Sequence, residues 1–278
     1  MSFSFKNILI PADLTINTEV AINKALELTD TNATIHLLYV QNVLASGING
    51  IAQRYLIGSD ELPGYSAVVN YLEQWKRKIE ENKPGITVNI WNILSGSIQR
   101  EIEIRALKLA VDLVIIGKKS HHSWFPFLNT VVPSNISRKT GIAVLTVRPG
   151  SVHNKIKTMV VPITGENAEH KMEVIAAICG KFKIKIYLVT FLDRENRPSD
   201  FYASRLLQVY QWLKSSHYPV EYAVLHGSNK AKAILNYAEK INADILLVQP
   251  ESETKIGWPG KHISDVLPLG SKVQVLAV

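Results

Sequence analysis

Two loops in this sequence carry residues that could hold a phosphorylated ligand. The first, Pro11-Ala12-Asp13, follows the apolar run Ile8-Leu9-Ile10, and the second, 117–130, opens with Gly117 and Lys118. A glycine lets a ligand approach the backbone closely, and loop N–H groups beside a helix N-terminus bind phosphate. A lysine adds positive charge, and a carboxylate such as that of Asp13 can orient an adenine or a ribose. The sequence therefore indicates a candidate anion or nucleotide site.

Each of these residues also has a purely structural interpretation. Asp13 could instead accept hydrogen bonds from nearby backbone N–H groups, and Gly117 could form a tight turn after a strand. The two adjacent lysines that follow Gly117 are also typical of a solvated loop tip. The neighbouring His121 and His122 lack the helical spacing of metal ligands, and no cysteine or acidic cluster accompanies them. We therefore expect no metal site.

An aromatic segment, Trp124-Phe125-Pro126-Phe127, lies in the middle of the second loop. Its rings could fill a ligand crevice from inside, or they could form a surface that binds a partner protein. They could also pack against a neighbouring part of the same chain. The sequence leaves these alternatives open.

Catalytic motifs are missing from the sequence. It contains no Gly-x-Ser-x-Gly elbow, no P-loop, no His-Glu-x-x-His motif and no kinase signature, so we expect no catalytic residues. The net charge of +7 is spread along 278 residues, which is too diffuse to favour nucleic-acid binding. Lys181, Lys183 and Lys185 alternate at the entry to a strand and indicate a solvated edge.

Composition indicates a packed protein in a reducing compartment. Hydrophobic residues make up 46% of the chain, and its one cysteine, Cys179, allows no disulfide within the chain. Asp13 interrupts the first apolar stretch, and no apolar run reaches the ~18 residues of a membrane helix. We expect a cytoplasmic protein with no membrane segment, and we expect Cys179 to be a buried, inert thiol.

The chain repeats itself, which predicts how these loops are positioned. Three segments from the first 147 residues recur in the same order after residue 150, which indicates two copies of one unit. The matching pairs are 7–13 with 158–164, 111–117 with 243–249, and 142–147 with 273–278. The segment Arg148-Pro149-Gly150-Ser151 contains a proline and a glycine, which are typical of a linker, and it marks the boundary between the two units. The predicted domains are 1–148 and 149–278.

Strands and helices alternate within each unit, which predicts an α/β fold. The predicted strands of the first unit are 8–12, 35–40, 86–93, 113–116 and 142–147, and its helices are 18–28, 67–80, 98–109 and 131–138. Asn17 is the predicted N-cap of the first helix. Continuous apolar strands joined by helices favour a doubly wound parallel sheet. Ligands bind at the carboxyl ends of the strands in such sheets, which is where both candidate loops lie.

The sequence resembles the universal stress protein family in two tandem copies. The resemblance rests on Ile8-Leu9-Ile10-Pro11-Ala12-Asp13, Gly96, Asp112 to Gly117 and the ending Ala143 to Val147. It implies a flavodoxin-like, adenine-nucleotide-hydrolase-like fold with strand order 3-2-1-4-5. It also implies pairing through the last strand, which the two halves of a tandem protein would make internally.

Family members that bind ATP carry Gly-x-x-Gly, nine residues, then Gly-Ser or Gly-Thr after the fourth strand. The four positions of this motif fall on Gly117, Ser120, Thr130 and Val131 of this sequence. Only Gly117 keeps the family's residue type. On the adenosine side, Asp13 and Val40 match the positions that the family uses. The full set of implied nucleotide-binding residues is Pro11, Asp13, Val40, Gly117, Lys118, Ser120, Thr130 and Val131.

The second copy departs further from the motif. Thr164 replaces the aspartate, and Gln249-Pro250-Glu251-Ser252 replaces Gly-x-x-Gly. A proline removes a donor and an acid repels phosphate, so we expect no nucleotide site of this type there.

Two functions remain as hypotheses. The first is a non-catalytic stress-response or regulatory binding protein, with nucleotide binding weakened or lost and with protein partners or a homodimer as open alternatives. The second is a binder of ATP or another adenine nucleotide, or a slow ATPase, that uses only the N-terminal domain. For the cofactor, ATP or a related adenine nucleotide is the candidate.

Overall fold

The structure is a computed structural model. It describes residues 4–42, 65–118, 131–151, 155–164, 168–191, 200–227, 229–250, 253, 262–263 and 271–278. The aromatic segment 124–127, the histidines at 121 and 122, and two mapped site residues, Ser120 and Thr130, lie outside these ranges.

Strands and helices alternate within the first half of the chain, as predicted, and through the second half as far as residue 248. The strands are β1 (Asn7–Ala12), β2 (Thr34–Asn42), β3 (Thr87–Ser95), β4 (Leu113–Gly117), β5 (Ala143–Val147), β6 (Thr158–Pro162), β7 (Lys185–Phe191), β8 (Val220–Leu225), β9 (Ile245–Val248) and β10 (Gln274–Ala277). The helices are α1 (Ile16–Leu28), α2 (Tyr65–Asn82), α3 (Ile98–Lys108), α4 (Pro133–Thr140), α5 (Ala168–Cys179), α6 (Asp200–Ser215) and α7 (Lys230–Lys240).

The ten described strands form one sheet with the order β3-β2-β1-β4-β5-β10-β9-β6-β7-β8. The first half therefore has the predicted order 3-2-1-4-5, and the second half has the same order in the opposite direction. All neighbours are parallel except β5 and β10, which pair antiparallel with Leu145 opposite Leu276. The two last strands thus join the halves, as the family resemblance implied.

The core lies on both faces of this sheet because its strands are continuously apolar. On one face, a single cluster runs through both halves and includes Ile10, Leu145, Val161 and Leu276. On the other face, each half has a cluster of its own, under α3 and α4 in the first half and under α7 in the second. The shared cluster gives the two halves a common hydrophobic core.

An aspartate holds the start of each half in the same way. The Oδ2 atom of Asp112 accepts hydrogen bonds from the N–H groups of Lys6 and Asn7, at 2.8 and 2.9 Å. In the second half, Oδ2 of Asp244 accepts from the N–H groups of Lys157 and Thr158, at 2.8 and 3.0 Å. The two halves therefore resemble each other in this local contact as well as in strand order, which supports the predicted internal repeat.

Two predicted local features are wrong. The N-cap of α1 is Thr15 and not Asn17, because the Thr15 hydroxyl accepts a hydrogen bond from the N–H group of Asn17. Lys181 does not lie on a solvated edge. Its ammonium group contacts the carbonyl of Thr29 and, at 2.8 Å, the carboxylate of Asp30. Because α1 ends at Leu28, Lys181 places a positive charge at the negative end of this helix and links the two halves.

Among the described helices, none combines the length and the apolar character needed to cross a bilayer. The thiol of Cys179 is partly buried against the shared core, and burial raises its pKa to about 12. The described residues also hold no group of three or more His, Cys, Asp or Glu side chains suited to a metal ion.

Candidate functional site

Asp13, Val40 and Gly117 lie at the carboxyl ends of β1, β2 and β4, and we call this group of residues the first crevice. Because these three strands are parallel neighbours, the residues that end them lie on one edge of the sheet. Val40 is buried in the core cluster under α3, and Pro11 is half-buried within β1. The structure thus brings four of the mapped residues to one edge.

Lys118 and Val131 lie next to this crevice at the two ends of the undescribed stretch 119–130. The N–H group of Lys118 donates to the carbonyl of Val147 at 2.9 Å, which continues the pairing of β4 with β5. Val131 is partly buried against the cluster under α3. The next residue, Val132, is the N-cap of α4 but provides no side-chain cap, and its N–H group donates to Gln99 Oε1 at 3.1 Å.

The carboxylate of Asp13 is occupied by its own chain. Oδ1 accepts hydrogen bonds from the backbone N–H of Thr15 at 3.0 Å, from the Thr15 hydroxyl at 2.7 Å and from the Thr18 hydroxyl at 2.8 Å. Oδ2 accepts from Asn17 Nδ2 at 3.0 Å. An ionised carboxylate has about four acceptor sites, so the start of α1 uses nearly all of its capacity.

This network changes the acidity of Asp13 and holds the turn into α1. Burial alone would raise the pKa of Asp13, but the hydrogen bonds that its carboxylate accepts outweigh that effect and hold the pKa below 3.8. The next residue, Leu14, adopts a left-handed conformation with φ of 58°. Such a backbone is unfavourable for leucine, and the bonds on either side of it keep it in place.

We expect Asp13→Ala to lower the free energy of unfolding by about 1 kcal/mol at pH 7, because α1 loses its capping network while solvent limits the loss. The folded state lowers the pKa of Asp13, so this contribution is complete above 3.8 and disappears as the pH falls through the lowered pKa. Urea unfolding of the wild type and of Asp13→Ala, measured from pH 7 downwards, should show their free energies of unfolding converging as the pH falls below 3.8. Asn82→Ala, at the exposed end of α2, removes no ionisable group and is the control, so its difference from the wild type should stay constant. If the difference in unfolding free energy between Asp13→Ala and the wild type also stays constant with pH, the prediction is wrong.

Gly117 contacts the N-terminus of α1 and not an open loop. A Cβ atom built at this position would lie 2.1 Å from the carbonyl oxygen of Asn17 and 2.5 Å from its carbonyl carbon. Only glycine allows this close approach of β4 to the helix backbone. The glycine therefore has a packing role that the sequence interpretation as a tight turn did not include.

Thr164, Gln249 and Glu253 lie beyond the carboxyl ends of β6 and β9, and we call this group of residues the second crevice. Its centre is the carboxylate of Glu253, which is completely buried. Lys171 of α5 donates to both carboxylate oxygens at 2.8 Å, and the hydroxyl of Thr164 donates to Oε1 at 2.6 Å. The N–H group of Gln249 donates to Oε2 at 2.7 Å. The predicted repeat aligns Thr164 with Asp13 and Gln249 with Gly117.

The ammonium group of Lys171 is buried together with its partner. It also donates to the carbonyl of Pro162 at 2.6 Å, so all three of its protons face acceptors of the second crevice. Burial lowers the pKa of Lys171, and the charge of Glu253 offsets part of this effect. A buried pair of this kind is sensitive to the loss of either partner, because the remaining charge would have no compensation.

The comparisons with known proteins identify the family. A family model described as the universal stress protein family matches residues 4–148, which is more than half of the chain. This chain belongs to the universal stress protein family. No curated protein matches the sequence significantly.

Solved structures share the fold of this universal stress protein over its whole length. A universal stress protein from Archaeoglobus fulgidus DSM 4304 is 16% identical, with a TM-score of 0.66, and the alignment covers 99% of this chain and 96% of that one. A functionally unknown protein from Pseudomonas aeruginosa PAO1 is 15% identical, with a TM-score of 0.58 and coverage of 100% and 93%. The cytoplasmic domain of a prokaryotic cation chloride cotransporter is 11% identical, with a TM-score of 0.57 and coverage of 98% and 95%.

Sequence reasoning missed Lys171 and Glu253 in this universal stress protein. A signal for Lys171 was present, since it shares the helical spacing of Val174, Ile175 and Ile178, all of which are buried. A lysine on the apolar stripe of a helix needs a buried partner. No comparable signal marked Glu253, which follows Gln249 by four residues and lies outside any regular pattern.

Proposed function

We propose that this chain is a tandem universal stress protein, with units 1–148 and 149–278, that acts in the cytoplasm as a non-catalytic stress-response or regulatory binding protein. Nucleotide binding is lost from the first unit, or too weak to detect at millimolar concentration, and it is absent from the second. The proposal rests on one observation above all. The Asp13 carboxylate, which would orient an adenosine, is already engaged by four hydrogen bonds from Thr15, Asn17 and Thr18.

A ligand that used Asp13 would first have to break part of this network. Each broken bond leaves a hydroxyl, amide or N–H donor of α1 without its partner, and this cost would reduce the affinity. The second crevice supports the proposal independently. Its centre holds the buried Lys171–Glu253 pair, so a nucleotide phosphate would meet a carboxylate where it needs donors.

Adenine-nucleotide binding by the first unit is the second candidate. The observation in its favour is the meeting of Pro11, Asp13, Val40 and Gly117 at one sheet edge, within the half that matches the family model. Lys118, directly after β4, would then contribute charge to the phosphates. A slow ATPase is a special case of this candidate.

Ligand-induced thermal shift separates the two candidates. A ligand at about 100 times its Kd stabilises a protein by about 2.7 kcal/mol, which for a chain of this size raises Tm by about 5 to 10 °C. Under our proposal, millimolar ATP, ADP and AMP leave the Tm of the full chain unchanged, and calorimetry detects no heat of binding. A clear rise in Tm with any of the three contradicts the proposal.

A matched pair of lysine variants shows whether any rise in Tm with nucleotide comes from binding in the first crevice. Lys118→Ala removes charge beside the first crevice, whereas Lys108→Ala removes it from the exposed end of α3 at the opposite edge of the sheet. Nucleotide binding in the first crevice predicts a smaller shift for Lys118→Ala and an unchanged shift for Lys108→Ala. Equal shifts in both variants would exclude the first crevice as the site.

The pairing of β5 with β10 limits which surfaces a partner could use. Because β5 and β10 already pair with each other, the strand pairing that the family resemblance implied between subunits is made within one chain. A homodimer or a protein partner would therefore use another surface.

A further inference from the structure

The buried cluster around Glu253 has the composition of an anion-binding site. Three groups from separate parts of the chain donate to one carboxylate: the Thr164 hydroxyl, the Lys171 ammonium and the Gln249 N–H. A hydroxyl, an ammonium and a backbone amide are the donors that bind carboxylates and phosphates in proteins. The donors come from the loop after β6, from α5 and from the loop after β9, and only the acceptor comes from position 253.

The burial of these groups gives the site its selectivity for charge. Glu253 is fully buried, Lys171 is 3% exposed and Thr164 is 7% exposed. A buried ammonium without a partner is strongly unfavourable, so the site requires a negative charge in its centre. In the native chain, Glu253 supplies this charge from four residues beyond Gln249.

We propose that Glu253 is a tethered ligand: its carboxylate occupies a small-anion site built from Thr164, Lys171 and Gln249, and its removal opens this site to a free carboxylate. Because the carboxylate of Glu253 is attached to the chain, it binds without the loss of translational freedom that a free anion suffers, so we expect free anions not to displace it from the native protein. The inference goes beyond the proposed function, because it holds whether or not the first unit binds nucleotide.

Chemical rescue of Glu253→Ala tests the proposal. The substitution removes a CH2COO⁻ group, which is the size of acetate, and leaves the three donors in place. In the full chain at neutral pH, the variant should lose about 10 °C in Tm, because Lys171 is left without a partner. Rising sodium acetate, with sodium chloride replacing it at constant ionic strength, should restore at least half of this loss in a saturable manner. Wild-type Tm should not respond.

Two further variants distinguish rescue from a general effect of salt. Glu221→Ala also removes a carboxylate from a lysine pair, with Lys185 at 2.7 Å, but this pair lies on the surface and should show no acetate dependence. The double variant Lys171→Met with Glu253→Ala removes the ammonium and should also lose the rescue. An acetate response in either control at the level of Glu253→Ala would overturn the proposal, as would no response in Glu253→Ala.

The test does not depend on the stability of the variant. If Glu253→Ala is unfolded in chloride, the same titration is followed by far-ultraviolet circular dichroism as the fraction of folded protein. The proposal then predicts that acetate raises the folded fraction and that chloride does not. A chain that stays unfolded at every acetate concentration contradicts it.

Discussion

Gly117→Ala should lower the free energy of unfolding by about 3 kcal/mol or more, the upper range for overpacking a close contact. The added Cβ would lie 2.1 Å from the carbonyl oxygen of Asn17, which is a backbone atom, so no flexible side chain can move to make room. Either α1 moves away from β4 or the strand end distorts. Urea unfolding of the full chain measures the loss.

Gly150→Ala is the matched control for this substitution. The same methyl group added at Gly150, in the segment between the halves, meets no atom within 4 Å. Its effect should stay within about 0.5 kcal/mol, as for most surface substitutions. Equal urea midpoints for the two variants would show that β4 and α1 do not make this close contact in solution.

The position of Gly117 also affects how ligand experiments are interpreted. A substitution there displaces the start of α1, and the donors to Asp13 belong to that part of the chain. Loss of nucleotide binding in a Gly117 variant would therefore not identify the glycine as a phosphate contact. Lys118→Ala changes only a side chain and is the better probe.

The fold could be predicted from the sequence because its signals are local and repeated. Continuous apolar strands such as Ile8–Ile10 are buried on both faces, and helices between them require parallel crossovers. The repeat then placed equivalent elements in both halves. Local sequence does not fix the start of a helix in the same way. Thr15 and Asn17 are both good N-cap residues, and it is the hydroxyl of Thr15 that accepts the N–H of Asn17.

The contacts of the candidate site could not be predicted, because they join distant residues. Gly117 meets Asn17 across 100 positions of the chain, and Lys171 meets Glu253 across 82. Sequence spacing indicates which edge of a sheet a loop reaches, but not which side chain fills the space there. The spacing of Lys171 within the apolar stripe of α5 was the sequence signal that a charged partner had to exist.

Lys171→Met should lower the free energy of unfolding by about 3 to 5 kcal/mol, the typical cost of leaving one partner of a buried ion pair uncompensated. Methionine keeps the length and the apolar stem of the lysine, so the loss reports the charge and the hydrogen bonds and not a cavity. Urea unfolding at pH 7 gives the value.

The double variant Lys171→Met with Glu253→Met decides between charge and packing as the cause. Replacing both partners with apolar residues removes the uncompensated charge, and such replacements are commonly neutral or stabilising. We expect the double variant to recover most of the stability that Lys171→Met loses, while Lys185→Met, in the exposed pair with Glu221, leaves it unchanged. If the double variant is as unstable as Lys171→Met alone, the pair contributes through the shape of the site, and the second crevice is then a packed core and not a site organised around a negative charge.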